Sequence, residues 1–106
     1  MIIARVSFPL SEPPDPETVQ SALEASIAGW RGTPGLIRKY YITSEDGREV
    51  GGIYVWESKE AAENGYTDAW REHMTGVFGV PPTITYLPCQ AVLDNDADEA
   101  LTPEPR

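Results

Sequence analysis

The sequence is poor in the residues on which much protein chemistry depends. It holds one cysteine, Cys89, and one histidine, His73, in 106 residues. A lone cysteine closes no internal disulfide, which fits a reducing, cytoplasmic setting. One histidine and one isolated cysteine also offer a transition metal too few ligands, so no metal site is expected. Basic residues are scarce as well: eight Lys and Arg stand against 17 Asp and Glu, a net charge of -9. Phosphate backbones are bound by clustered Lys and Arg, which argues against a nucleic-acid partner. No apolar run approaches the length of a membrane span, and the N-terminus lacks the layout of a signal peptide. "GTPG" and "GVFGVPP" have neither the Lys-Ser/Thr ending of a phosphate loop nor dinucleotide-type glycine spacing, so no cofactor is expected. What remains, 41% hydrophobic and 24% charged residues, describes one small acidic globular domain.

The chain parses into alternating elements. "MIIARVSF" sets Ile2, Ala4, Val6 and Phe8 against Ile3, Arg5 and Ser7, the pattern of a half-buried strand. A proline-rich stretch ends in Asp15-Pro16-Glu17, a cap, a first-turn proline and an acid suited to the positive end of a helix. That helix carries Val19, Leu23, Ile27 and Trp30 at helical spacing. "LIRKYYIT" and "EVGGIYVW" read as two strands joined by a hairpin turn at Asp46-Gly47. Ser58 caps a second helix over "KEAAENGYTDAWREHM", weakened by roughly 1 kcal/mol at Gly65, where a kink or a close contact is expected. "TITYLPCQAVL" reads as a long fourth strand, with Pro88 marking an edge or a bulge. Residues 1–94 thus form the folded domain, and the acidic stretch 95–106 reads as a flexible tail.

The order βαββαβ is that of an α+β, ferredoxin-like fold, with a four-stranded antiparallel sheet and both helices on one face. Strands two and three nevertheless carry large apolar or aromatic residues at both parities: Tyr40 and Ile42 against Ile37 and Tyr41, Ile53 and Val55 against Tyr54 and Trp56. A sheet with two apolar faces needs a second cover. Two such sheets packed face to face in a symmetric homodimer supply it most simply.

The stretch "GLIRKYYITSEDGREVGGIYVWESKEAAENGYTDAW" resembles the core of the YdhR-like monooxygenases, in the dimeric α/β-barrel superfamily that includes the antibiotic-biosynthesis monooxygenases. The resemblance rests on the "GL" entering strand two, the basic Lys39, the "GGIYVW" strand and the Ser-led, Ala-rich helix, and it extends over residues 1–93. It implies a barrel of two four-stranded sheets across a dimer, and a small-molecule cavity between sheet and helices in each subunit. The superfamily also includes cyclases, dehydratases, haem-degrading enzymes and proteins of unknown role, and no fixed catalytic motif transfers to this chain.

The candidate site residues come from the chemistry of the side chains. His73 is the only histidine, and His is readily poised as a general base near neutral pH. It reads equally as a helix C-terminal residue meeting the last carbonyls. Tyr66 and Trp70, at i and i+4, can share a pocket wall with it as catalytic candidates. Tyr40, Tyr54 and Trp56 can face them from the sheet as substrate contacts, or can fill core and interface. All three tryptophans and four of the five tyrosines fall between residues 30 and 70, a density that suits a flat aromatic ligand with a few hydroxyls. Asn64 can orient such a ligand or face solvent. Arg38 and Lys39 point to opposite faces of their strand; either can reach a cavity and stabilise an enolate or phenolate, or pair with surface carboxylates. Taken with the resemblance, these residues lead to cofactor-independent monooxygenation of an aromatic or polyketide-like small molecule, with a cyclase, dehydratase, isomerase or simple binding protein as alternatives.

Overall fold

Strand β1 (Ile2–Pro9) lies at the centre of the molecule, and its alternation of buried and open residues follows the sequence pattern. The structure is a computed structural model that describes residues 1–96 and the backbone of 99–101. Beyond β1 run α1 (Pro16–Trp30), β2 (Leu36–Thr43), β3 (Glu49–Trp56), α2 (Lys59–Gly65), α3 (Asp68–Phe78), β4 (Thr83–Pro88), β5 (Val92–Asp94) and β6 (Glu99–Leu101). The first four β-strands form one antiparallel sheet in the order β2-β3-β1-β4, the split arrangement of a ferredoxin-like α+β fold. A separate two-stranded ladder joins β5 to β6. Of the expected 95–106 tail, residues 97–98 and 102–106 lie outside the described residues.

Local chemistry sets the element ends. The Asp15 carboxylate accepts the Thr18 backbone N–H, and Pro16 opens α1 at a position that needs no N–H. The β2–β3 turn is held by Asp46, whose Oδ1 accepts from Ser44 Oγ at 2.7 Å and from the Arg48 N–H at 3.0 Å. Those bonds, the Arg48 backbone first, hold the Asp46 carboxyl below its ordinary pKa. The short turn places Tyr41 opposite Gly52 and Ile42 opposite Gly51.

Two expectations change. The single second helix is two helices, because the backbone turns away at Tyr66 (φ -90°, ψ 67°) and Thr67 starts anew, its Oγ1 accepting the Trp70 N–H at 3.0 Å. Gly65 marks the break for a packing reason: a Cβ there would lie 2.6 Å from Trp56 Cη2. Helix α3 then runs on to Phe78 and ends on Gly79 in the left-handed conformation, so His73 is mid-helix and not terminal. The long fourth strand stops at Pro88, opposite Ile2, where its partner strand runs out; the Cys89 N–H makes one last bond to the Met1 carbonyl, β4 is indeed an edge, and the next strand is β5.

One face of the main sheet carries Ala4, Val6, Phe8, Val50, Tyr54 and Trp56, which join Ala62 and Tyr66 in the buried core. A bulge between Leu36 and Arg38 keeps Leu36 on that side, opposite Trp56, and leaves Ile37 exposed. The other face bears Tyr40, Ile42 and Leu87, all about half exposed in the protomer. No described helix lies over it: the core residues on α2 and the partly buried ones on α1 and α3 pack against the first face.

Candidate functional site

Neither α1 nor α3 has a fully buried residue, so both helices stand off the sheet. The space beneath them is a pocket of about 210 Å³. Its floor is Val6, Phe8, Val50, Gly52 and Tyr54 from the sheet; Ala22, Ser26 and Trp30 from α1 and Trp70, Met74 and Phe78 from α3 form the roof. Lys39 and Tyr41 of β2 close one side. A second, open groove of about 850 Å³ runs outside, between α1 and α3, and shares Ala22, Ser26, Trp30, Trp70 and Met74 with the pocket. Small residues on α1 (Ala22, Ala25, Ser26 and Gly29) leave that groove open.

Among the described residues, Lys39 is the one charged side chain lining the inner pocket, and no carboxylate lines it. Its Nζ donates to Ser26 Oγ at 2.9 Å, and Ser26 Oγ shares a hydrogen bond with the Tyr41 hydroxyl at 3.0 Å. Three rings surround the ammonium, with centroids 4.0 Å (Tyr41), 4.5 Å (Tyr54) and 5.6 Å (Trp30) away. Cation–π attraction of this kind favours the charged amine. Desolvation opposes it and prevails: burial lowers the Lys39 pKa from 10.5 to about 7. Burial also pushes the Tyr54 phenol well above its ordinary pKa, with the neighbouring Tyr66 and Tyr41 adding to the rise. Near neutral pH the pocket therefore presents an amine poised between its two states beside a phenol that stays protonated.

Gly52 makes this arrangement possible. A Cβ at that position would lie 3.0 Å from Lys39 Cε and 3.2 Å from Tyr54 Cε1, so a side chain there would crowd the lysine. The glycine lies directly opposite Tyr41 and two residues along from the Lys39–Tyr54 pair, on the same face.

Of the residues singled out in the sequence, Lys39, Tyr54 and Trp70 line the pocket. Tyr66 and Trp56 lie behind it, both buried, with Trp56 Nε1 donating to the Tyr66 hydroxyl at 3.0 Å. Trp30 ties the cluster together, edge-on to Tyr54, Trp56, Tyr66 and Trp70 with centroids 5.3 to 6.0 Å apart. His73 is exposed and lines the outer groove, not the inner pocket. Arg38 and Tyr40 lie on the opposite face of the sheet, where Arg38 Nη1 donates to the Tyr40 hydroxyl at 3.1 Å. That hydrogen bond raises the Arg38 pKa. Asn64 is exposed on α2. Lys39, Ser26 and Tyr41 are the pocket's polar group, and sequence reasoning did not choose them as a set. The available signal was parity: with the turn at Asp46-Gly47, Lys39 falls beside Tyr54 and on the same face as Tyr41.

No group of three or more His, Cys, Asp or Glu able to hold a metal ion occurs among the described residues. No described helix is long and apolar enough to cross a membrane.

Residues 3–84 match the family described as "Putative mono-oxygenase ydhR". The chain belongs to this family. Among curated proteins none matches. The fold is similar to that of a monooxygenase from the gene ActVA-Orf6 of Streptomyces coelicolor, solved with the ligand nanaomycin D, at 26% identity and a TM-score of 0.65, covering 88% of this chain and 91% of that one. It is also similar to SnoaB, a cofactor-independent oxygenase from Streptomyces nogalater, at 15% identity and a TM-score of 0.63 over 84% of this chain and 92% of that one. Protein SO0527 of Shewanella oneidensis aligns at 23% identity and a TM-score of 0.61, covering 81% and 87% of the two chains. Membership in the family gives the chain a general monooxygenase-like character.

Proposed function

We propose that the protein is a cofactor-independent monooxygenase that oxidises a flat aromatic, polyketide-like molecule in the pocket between sheet and helices. The observation that carries this reading is the pocket itself, walled by Trp30, Tyr41, Tyr54 and Trp70 and given one cation, Lys39, with no carboxylate. Aromatic walls favour a planar ring system, and a few placed polar groups fix its orientation. The likeness to the nanaomycin D-bound monooxygenase supports the same ligand shape. In the reaction a base deprotonates an anthrone-like ring system, as the ketone or its enol tautomer, to one delocalised anion, and that carbanion transfers an electron to O₂. The two radicals combine as a hydroperoxide, which loses water. A CH₂ becomes C=O; one oxygen atom enters the product and the other leaves as water, so the four electrons taken by O₂ all come from substrate. The outer groove, sharing five wall residues with the pocket, is the route of entry, and His73 stands beside it.

The working form is a homodimer. Tyr40, Ile42 and Leu87 on the helix-free face make an apolar surface that a second copy would cover. The test of function is oxygen uptake by flavin-free, metal-free protein across a panel of anthrones and quinols. Substrate-dependent uptake of one O₂ per product supports the reading. No uptake across the panel defeats it, and turnover without oxygen indicates a cyclase, dehydratase or isomerase instead.

A further inference from the structure

Among the described residues, Lys39 has no anionic partner. The ion pairs among the described residues, Arg5–Glu49 and Arg38–Asp94, lie elsewhere, and the groups around its Nζ are Ser26, Trp30, Tyr41 and Tyr54. An ammonium among aromatic rings with no counter-ion is incomplete: an anion brought into the pocket would supply the missing charge. A lone amine in the same place is a base with nothing competing for its proton.

We propose that Lys39 is the catalytic base of the pocket, taking the acidic proton of a bound phenol or enol and holding the resulting anion. The O–H bond of the substrate breaks, its electron pair stays on oxygen, and an N–H bond forms on Nζ, so that neutral amine and neutral acid become an ion pair inside the pocket. Substrates of this class are planar phenols and enolised ketones of modest acidity, and Tyr54, Trp30 and Trp70 supply the apolar wall around them. The titratable groups facing Lys39 are Tyr41 on its own strand and Tyr54 on β3; α1 presents Ser26 and Trp30, and α3 presents Trp70 and Met74, none of which titrates. Burial holds Lys39 near a pKa of 7, close to the optimum for a base at neutral pH, and holds Tyr54 protonated so that it does not compete. The paired anion is electron-rich, which is the state that reacts with O₂. In that last respect the inference rests on the oxygenase reading; the proton transfer itself does not.

The experiment uses 1-naphthol and 2-naphthol, planar phenols less acidic than the Lys39 ammonium whose absorbance separates phenol from phenolate, with the full chain at pH 8, where the free amine is mostly neutral. In wild type, saturable binding should turn the bound probe to phenolate at a pH where the free probe is mostly neutral, an apparent shift of about one pH unit or more, which is a tenfold change in ionisation. Calorimetry in two buffers of different ionisation enthalpy should show no net proton release, because Lys39 keeps the proton. Lys39→Arg, permanently charged, should still bind phenolate but release a proton to the buffer, and Lys39→Met should lose the spectral shift. The wild-type spectrum decides even where a variant fails to fold: a probe bound as neutral phenol, or no saturable binding of either probe, overturns the proposal. So do a Lys39→Met variant with an unchanged shift and a Lys39→Arg variant with the wild-type proton balance. Phenolate binding by Lys39 without oxygen uptake on any substrate would defeat the oxygenase reading and leave this one standing.

Discussion

A lysine whose pKa falls on folding makes the folded state bind fewer protons than the unfolded chain between its two pKa values. For Lys39 those values are about 7 and the ordinary 10.5, so stability rises with pH across that window and the burden of a charged, desolvated amine is greatest below it. Lys39→Met removes the linkage. The stability of wild type relative to Lys39→Met should therefore climb from pH 7 toward pH 10, with a slope below the full ~1.4 kcal/mol per pH unit because the side chain is only half-buried. Urea unfolding of both proteins over that range measures it, and taking the difference cancels the titration of Tyr54 and Tyr66. A flat difference would mean that Lys39 is solvated in the folded protein. The same residue shows where sequence reading stops at this scale. Lysine on a strand is usually a solvated charge, and only the Tyr41–Gly52 register reveals that its stem crosses a glycine into an aromatic wall.

At the scale of elements, the break between α2 and α3 settles the shape of the aromatic cluster. Replacing Gly65 with alanine sets two effects against each other. Alanine favours helix by about 1 kcal/mol, but its Cβ would meet the buried Trp56 ring at 2.6 Å, and overpacking of a core costs about 1–3 kcal/mol. The indole cannot retreat without giving up its hydrogen bond to Tyr66 or its edge contact with Trp30. Gly65→Ala should thus destabilise the protein by about 1–2 kcal/mol in denaturant unfolding; a stabilised variant would show that helix propensity governs the site. The strand and helix order, the Asp15 and Ser58 caps and the hairpin turn were legible because each depends on a few adjacent residues. The second helix cap at Thr67 was hidden inside a run that reads as helical throughout. The halt of β4 at Pro88 was masked by the apolar residues that follow it.

For the whole molecule, the two faces of the sheet have different fates. Three helices cover one, and Tyr40, Ile42 and Leu87 remain open on the other. The alternation of apolar residues at both parities had already exposed that imbalance. If a second copy covers this face, Tyr40→Glu should weaken the dimer about 100-fold or more, near 2.7 kcal/mol, because a carboxylate would be desolvated without a partner. Sedimentation of wild type and variant reads this directly, and a wild-type monomer at all concentrations would contradict it. The pocket asks more of sequence reasoning than the sheet does. Tyr54 and Trp70 line it as expected, whereas His73 stands in the outer groove and Arg38 and Tyr40 face the other way. If the proposed reaction holds, the inner pocket, with Lys39, is where it starts. The most direct test is substrate-dependent oxygen uptake by wild type, Lys39→Met and His73→Ala side by side. Uptake should be lost in Lys39→Met and retained within a few-fold in His73→Ala; uptake lost in His73→Ala and retained in Lys39→Met would contradict the assignment of the base to the inner pocket.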